Sequence, residues 1–86
     1  MNTFKLTISS PDGNKFQGNA VKLDVRGTEG ELAIMAGHTA FVTALVEAPV
    51  KILLEDETEK TAYAKGGLLT VGNNEVTLLS GSFEFE

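Results

Sequence analysis

Several stretches of this chain alternate apolar and polar residues one for one. Phe4-Lys5-Leu6-Thr7-Ile8-Ser9 and Val21-Lys22-Leu23-Asp24-Val25-Arg26 do so without a break. That period sends one row of side chains into a core and the other to water, as a half-buried strand does. Val50-Lys51-Ile52-Leu53-Leu54-Glu55 and Val76-Thr77-Leu78-Leu79 follow it less cleanly, and Phe83-Glu84-Phe85-Glu86 repeats it, which predicts an edge strand at the end. Turn chemistry separates these runs. Pro11-Asp12-Gly13-Asn14 presets φ with proline and then offers glycine for a positive φ, and Gly72-Asn73-Asn74 between apolar runs is a hairpin signal. Glu47-Ala48-Pro49 is expected to end a strand, Asp56-Glu57-Thr58 to connect two others, and Gly66-Gly67 to mark a bulge or a close backbone approach. The pattern predicts an all-β fold: a ten-stranded antiparallel β-sandwich with no long helix, in one domain over residues 1–86.

One segment fits two periods. Phe41, Ala44, Leu45 and Ala48 fall at the i, i+3, i+4, i+7 spacing of an amphipathic helix, so periodicity alone leaves residues 39–48 equally open to helix and strand. Pro49 terminates the segment in either case.

Composition narrows the function. A chain of 86 residues, 42% apolar, supports one small core and is too apolar to be disordered. It has no cysteine, which removes disulfide frameworks and thiolate metal sites. No run approaches the ~18 apolar residues of a membrane span, and Met1-Asn2-Thr3-Phe4-Lys5 lacks the profile of a secretory signal. A cytoplasmic location is expected, with membrane contact only through partner proteins. The net charge of −5 and the scattering of Lys5, Lys15, Lys22, Arg26, Lys51, Lys60 and Lys65 argue against nucleic acid and against direct adsorption on anionic lipid. A protein partner fits better.

Candidate chemistry is sparse. His38, the only histidine, stands without the other ligands a zinc site needs and without a marked nucleophile beside it. In a Gly-His-Thr turn it reads as a surface or interface residue. Glu29 and Glu31 flank Gly30; on an exposed loop tip they stay charged, either solvated or docked electrostatically on a partner. Gly27-x-x-Gly30 lacks the Gly-Lys-Ser/Thr ending of a phosphate loop, and its acidic residues repel anions. Lys65, before Gly66-Gly67, invites comparison with the lysine of lipoyl and biotinyl carriers, but the tip dipeptide of those domains is absent. Phe83 and Phe85 place two aromatics on one face, closing a core or offering an edge to a partner strand.

Taken in order, these motifs resemble one family. Phe16-Gln17-Gly18, Gly27-Thr28-Glu29-Gly30-Glu31-Leu32, Gly37-His38, Gly66-Gly67-Leu68-Leu69-x-Val71 and Val76-Thr77-Leu78-Leu79 are similar, nearly end to end, to the N-terminal β-sandwich of the epsilon subunit of F-type ATP synthases, called delta in mitochondria. Ala36 and Ala40 stand where that family usually has prolines, which loosens the His38 loop.

The resemblance carries its own expectations. It tips residues 39–48 to strand. It implies a non-catalytic part of the rotating central stalk, without cofactor or metal, joining the gamma subunit to the c-ring and coupling ion flow to ATP synthesis. By motif position Glu29, Gly30 and Glu31 face the c-ring, and Ser10, His38 and Thr43 lie at the gamma subunit. The place implied is peripheral, on the cytoplasmic face of the bacterial cell membrane. Most family members continue into a C-terminal helical hairpin that inhibits hydrolysis and, in some, senses nucleotide; the sequence ends before it, so ATP binding and inhibition are not expected of these residues. A carrier domain modified at Lys65, or a generic small-ligand-binding sandwich, is the alternative.

Overall fold

The computed structural model describes residues 2–86. Seven strands follow one another: β1 (Phe4–Ser10), β2 (Gly13–Gly27), β3 (Gly30–Met35), β4 (Phe41–Leu54), β5 (Glu59–Val71), β6 (Glu75–Leu79) and β7 (Phe83–Phe85). No helix occurs among the described residues. The all-β sandwich is as expected from the alternation, but the count is seven strands and not ten. The reason lies in β2, β4 and β5, which run for 15, 14 and 13 residues, β4 passing through Pro49 where an end was expected. Each contributes one half to each of two layers. One layer places β2 (13–20), β1, β6, β5 (68–71) and β4 (41–45) side by side. The other places β3, β2 (22–27), β4 (50–54), β5 (59–64) and β7 side by side.

The pairing is not wholly antiparallel either. β1 and β6 run parallel, from Lys5↔Glu75 to Ser9↔Leu79. That contact closes a ring of strands, β1–β6–β5–β4–β2 and back to β1, leaving β3 and β7 as branches on β2 and β5. Apolar side chains of both layers meet inside. Phe4, Leu6, Ile8, Leu23, Ile52 and Leu78 are all buried there, each contributing about 1.5–3 kcal/mol by leaving water.

The disputed segment is strand from Phe41 onward. Its helical spacing comes from a slip of phase: inward positions run 41, 43, 45 and then 48, 50, 52, where β4 crosses between layers. A period of two with one skipped step reproduces i, i+4, i+7. Pro49 does not end the strand. Leu54 N–H donates to Thr58 O, so even-numbered residues of this half bond to β5 and Pro49 is turned toward β2. The β2–β4 register jumps there, from Asp24↔Lys51 to Gly27↔Leu45, and no N–H is required.

Gly66-Gly67 is a close approach. β5 keeps its register on β4 through it, Glu47↔Lys65 and Leu45↔Gly67. Gly67 has φ +144°, and a Cβ there would overlap the Leu79 carbonyl oxygen. Beside it Ser80, buried, donates its N–H to Ser9 O at 3.0 Å and its hydroxyl to Gly66 O at 2.6 Å. One residue thus ties β1 and β5 to the link between β6 and β7.

Candidate docking surface

The β2–β3 hairpin turns on Thr28 and Glu29, with Gly27 and Gly30 as its last register pair. Gly30 adopts φ +125°, open only to glycine at low cost, and Thr28 N–H donates to Ala44 O at 3.3 Å, fixing the tip against β4. Glu29, Gly30 and Glu31 are all exposed. Arg26 is the cross-strand partner of Glu31, its Nη2 3.0 Å from Oε1. Glu29 enters no ion pair among the described residues. The tip therefore offers one free carboxylate and one neutralised pair.

His38 sits in the turn joining β3 to β4. Its N–H donates to Met35 O at 3.2 Å, and the preceding Gly37, at φ +83°, donates its N–H to Asn74 Oδ1 at 3.3 Å. Asn74 of the β5–β6 hairpin thus anchors a turn far away in sequence, in which Ala36 and Ala40 supply no proline stiffness. The imidazole lies 5.0 Å from the Phe41 ring, and its Nδ1 meets Thr39 O at 2.8 Å. Thr43, on β4, directs its hydroxyl to Ala44 O at 3.4 Å. Ser10 ends β1 and donates its hydroxyl to Asp12 Oδ1; Lys15 Nζ holds the other oxygen at 2.9 Å. Those two bonds, Ser10's first, lower the Asp12 carboxyl to about 2, and the same partner raises Lys15.

No hydrogen bond joins any two of Ser10, His38 and Thr43. Beside Ser10 lies a face that the motifs did not reveal. On the outside of the layer containing β1 and β6, Val42, Leu68 and Leu79 are 61, 42 and 47% exposed. The register sets Ala44, Leu68, Leu79 and Ser9 in one row and Val42, Thr70, Thr77 and Thr7 in the next. In these two rows no residue is charged; the nearest charges are Lys5 opposite Glu75, and Lys15 with Asp12 beside Ser10. Ser10 borders a shallow groove of about 470 Å³ between Pro11, Leu68 and Leu79. The sequence carried a signal for this face: the doublets Phe41-Val42, Leu68-Leu69 and Leu78-Leu79 place apolar groups on both sides of their strands.

The opposite face is different in kind. There Asp24, Arg26, Glu31, Glu47, Lys51 and Tyr63 line an open groove of about 690 Å³. Tyr63 donates its hydroxyl to Glu47 Oε2 at 2.7 Å, which raises the phenol's pKa. Lys65 lies within β5 and donates its N–H to Ser82 O at 3.0 Å. A mid-strand position does not supply the hairpin tip that a carrier lysine occupies. No helix is long and apolar enough to cross a membrane, and no group of three or more His, Cys, Asp or Glu suited to a metal ion occurs among the described residues.

Comparison with known proteins adds a family. Residues 3–86 match the model described as ATP synthase, Delta/Epsilon chain, beta-sandwich domain. An ATP synthase epsilon chain of Clostridium novyi (strain NT) is 36% identical over 83 residues, covering 96% of this chain and 63% of its own length. Among solved structures, a chain of the Euglena gracilis mitochondrial ATP synthase (OSCP/F1/c-ring) superposes with a TM-score of 0.92 at 21% identity, over 96% of this chain and 53% of that one. A chain from the Tetrahymena thermophila mitochondrial ATP synthase central stalk and c-ring gives 0.76 at 17% identity, over 92% and 63%. At those identities the superpositions establish a shared fold. The chain spans about 63% of the length of the curated relative it matches.

Proposed function

The chain belongs to the ATP synthase delta/epsilon family, and from that membership we propose that it is a non-catalytic rotor part of an F-type synthase. Its sandwich grips the gamma subunit with the uncharged face and rests on the c-ring with the acidic hairpin tip. It is peripheral, on the cytoplasmic side of a bacterial membrane, and helps couple ion flow to ATP synthesis. The observation that carries the reading is the contrast between faces. A chain of net charge −5 keeps one sheet surface almost free of charge while exposing Val42, Leu68 and Leu79 on it. Contiguous exposed apolar surface rimmed by polar residues marks a docking site.

Ser10 borders that face, and Ser10, His38 and Thr43 are assigned to the gamma contact by motif position, where they would set orientation. Glu29, Gly30 and Glu31 project from the β2–β3 tip, and an acidic tip meeting basic or amide-bearing loops gives register without large apolar burial. A closed ring of hydrogen-bonded strands suits a part that transmits torque, because neighbouring strands cannot separate singly. The test is binding of this chain to the gamma subunit of its own synthase. Val42→Asp is expected to leave the domain folded, since the side chain is mostly exposed, and to weaken gamma binding at least tenfold by burying an unpaired charge. Unchanged affinity would remove the docking role of this face.

A further inference from the structure

The turn between β1 and β2 brings together the parts of a slow covalent reaction. Asp12-Gly13 is the one place in the sequence where Asp or Asn precedes glycine. Every other Asp and Asn is followed by a residue with a Cβ, which shields the next backbone nitrogen. Gly13 adopts φ +127°, and nothing lies within 4 Å of where a Cβ would stand, so the space beside its nitrogen is open. Asp12 is exposed, but its carboxylate is not free. The Ser10 hydroxyl donates to Oδ1, and Lys15 Nζ holds Oδ2 at 2.9 Å. From this arrangement we propose that Asp12-Gly13 is the chain's site of spontaneous aspartyl isomerisation, and that Ser10 and Lys15 guard it by pinning both carboxylate oxygens.

The reaction needs no partner and no cofactor. The Gly13 nitrogen attacks Asp12 Cγ, and the new C–N bond closes a five-membered imide. The C–O bond to the carboxyl hydroxyl breaks, and one water leaves, taking the amide hydrogen with it. Water then re-enters at either carbonyl. Opening at Cγ restores aspartate. Opening at the main-chain carbonyl leaves the backbone running through Cβ and Cγ, one methylene longer, with the α-carboxylate as a side group. Loss of water requires the protonated acid, and the guard opposes that form: the Ser10 and Lys15 bonds bring the carboxyl to about 2. At neutral pH the acid is thereby roughly sixtyfold rarer than at the ordinary value of 3.8. A carboxyl tied at both oxygens also turns less freely toward Gly13. An isomerised turn loses the Ser10↔Gly13 pairing that closes the hairpin, and it alters the wall of the groove between Pro11, Leu68 and Leu79.

The test incubates the folded chain for weeks at neutral pH and physiological temperature. Isoaspartate is located by peptide mapping and counted by labelling with an isoaspartyl methyltransferase. In the parent chain the label is expected at residue 12, ahead of every other Asp and Asn, and it should vanish from that position in Asp12→Glu. Label appearing first elsewhere, or none at residue 12 when both guard residues are replaced, overturns the site. Ser10→Ala and Lys15→Ala are each expected to speed the reaction several-fold, Ser10→Ala the more, and together on the order of tenfold. Ser9→Ala is the control. It removes another bond of the same hairpin, Ser9 Oγ to Asn14 Oδ1 at 2.7 Å, without touching Asp12, and should leave the rate unchanged. In denaturant, where these bonds are absent, parent and variants are expected to isomerise alike. Equal rates in the folded parent, Ser10→Ala and Lys15→Ala overturn the guard, as does a difference that persists in denaturant. Equal acceleration by Ser9→Ala overturns it too, by assigning the effect to a looser turn.

Discussion

Asp12 couples a titration to a residue at the proposed gamma interface. Its carboxyl, brought to about 2 chiefly by the Ser10 hydroxyl, should titrate nearer the ordinary carboxylate range in Ser10→Ala, as carboxyl ¹³C shifts followed against pH would report. The folded value lies below the unfolded one, so this group's contribution to stability is present above about 3.8 and disappears as pH falls toward about 2. The side chain is exposed, so the titration rather than the melting temperature is the sensitive readout. Glu31 gives a second residue-level test. Glu31→Lys faces Arg26 across the hairpin, replacing an exposed attraction with a repulsion that costs the fold no more than about 1 kcal/mol. Attachment to the c-ring, measured by co-sedimentation with the membrane sector, is expected to weaken while the far-UV circular dichroism stays that of the parent. Normal attachment would take the hairpin tip out of the c-ring contact.

Among the strands, substitutions at two glycines should part company. Gly67→Ala needs φ near +144° and drives a methyl into the Leu79 carbonyl; a loss of about 2–4 kcal/mol in denaturant unfolding is expected. Gly81→Ala, with nothing near the added methyl and no positive φ, should stay within about 0.5 kcal/mol. Equal effects would mean that the backbones at 66–67 and 79–80 do not approach as described. The close approach was one of two readings available from Gly66-Gly67, and the hairpin at Gly72-Asn73-Asn74 and the strands Phe4–Ser9 and Val21–Arg26 were legible from alternation and turn chemistry. Continuity through Pro49 was not. Whether a proline ends a strand depends on whether its missing N–H is wanted, and that depends on a register jump against β2 made by residues distant in sequence. The strand count failed for the same reason: bend and break share local chemistry and differ in their partners.

For the whole molecule, the exposed face shows where reading from sequence stops. Ser10, His38 and Thr43 could be singled out by resemblance, but Val42, Leu68 and Leu79 become one surface only when β4, β5 and β6 lie side by side. The acidic motif, in contrast, is local, and its hairpin geometry follows from Gly27 and Gly30. The mixed-charge groove on the other face offers no glycine-rich phosphate cradle, so calorimetric titration of these residues with ATP is expected to show no micromolar binding, and their addition should not slow hydrolysis by the reconstituted soluble sector. Binding or inhibition by these residues alone would place nucleotide sensing in the sandwich.

The parallel contact between β1 and β6 also sets an order of events during synthesis. Residues 4–10 leave the ribosome well before residues 75–79, and the ring they complete waits for these. Until then β1 is covered on one side only, by β2, and its other edge, like that of β5, is open to any passing strand. Until residues 75–79 are made the sheet is therefore only partly closed, and their pairing with β1 turns it into a ring that leaves only the branches β3 and β7 with an open edge. Late closure over so long a separation makes for slow, all-or-none folding, and it makes the unfinished chain the species that chaperones must guard.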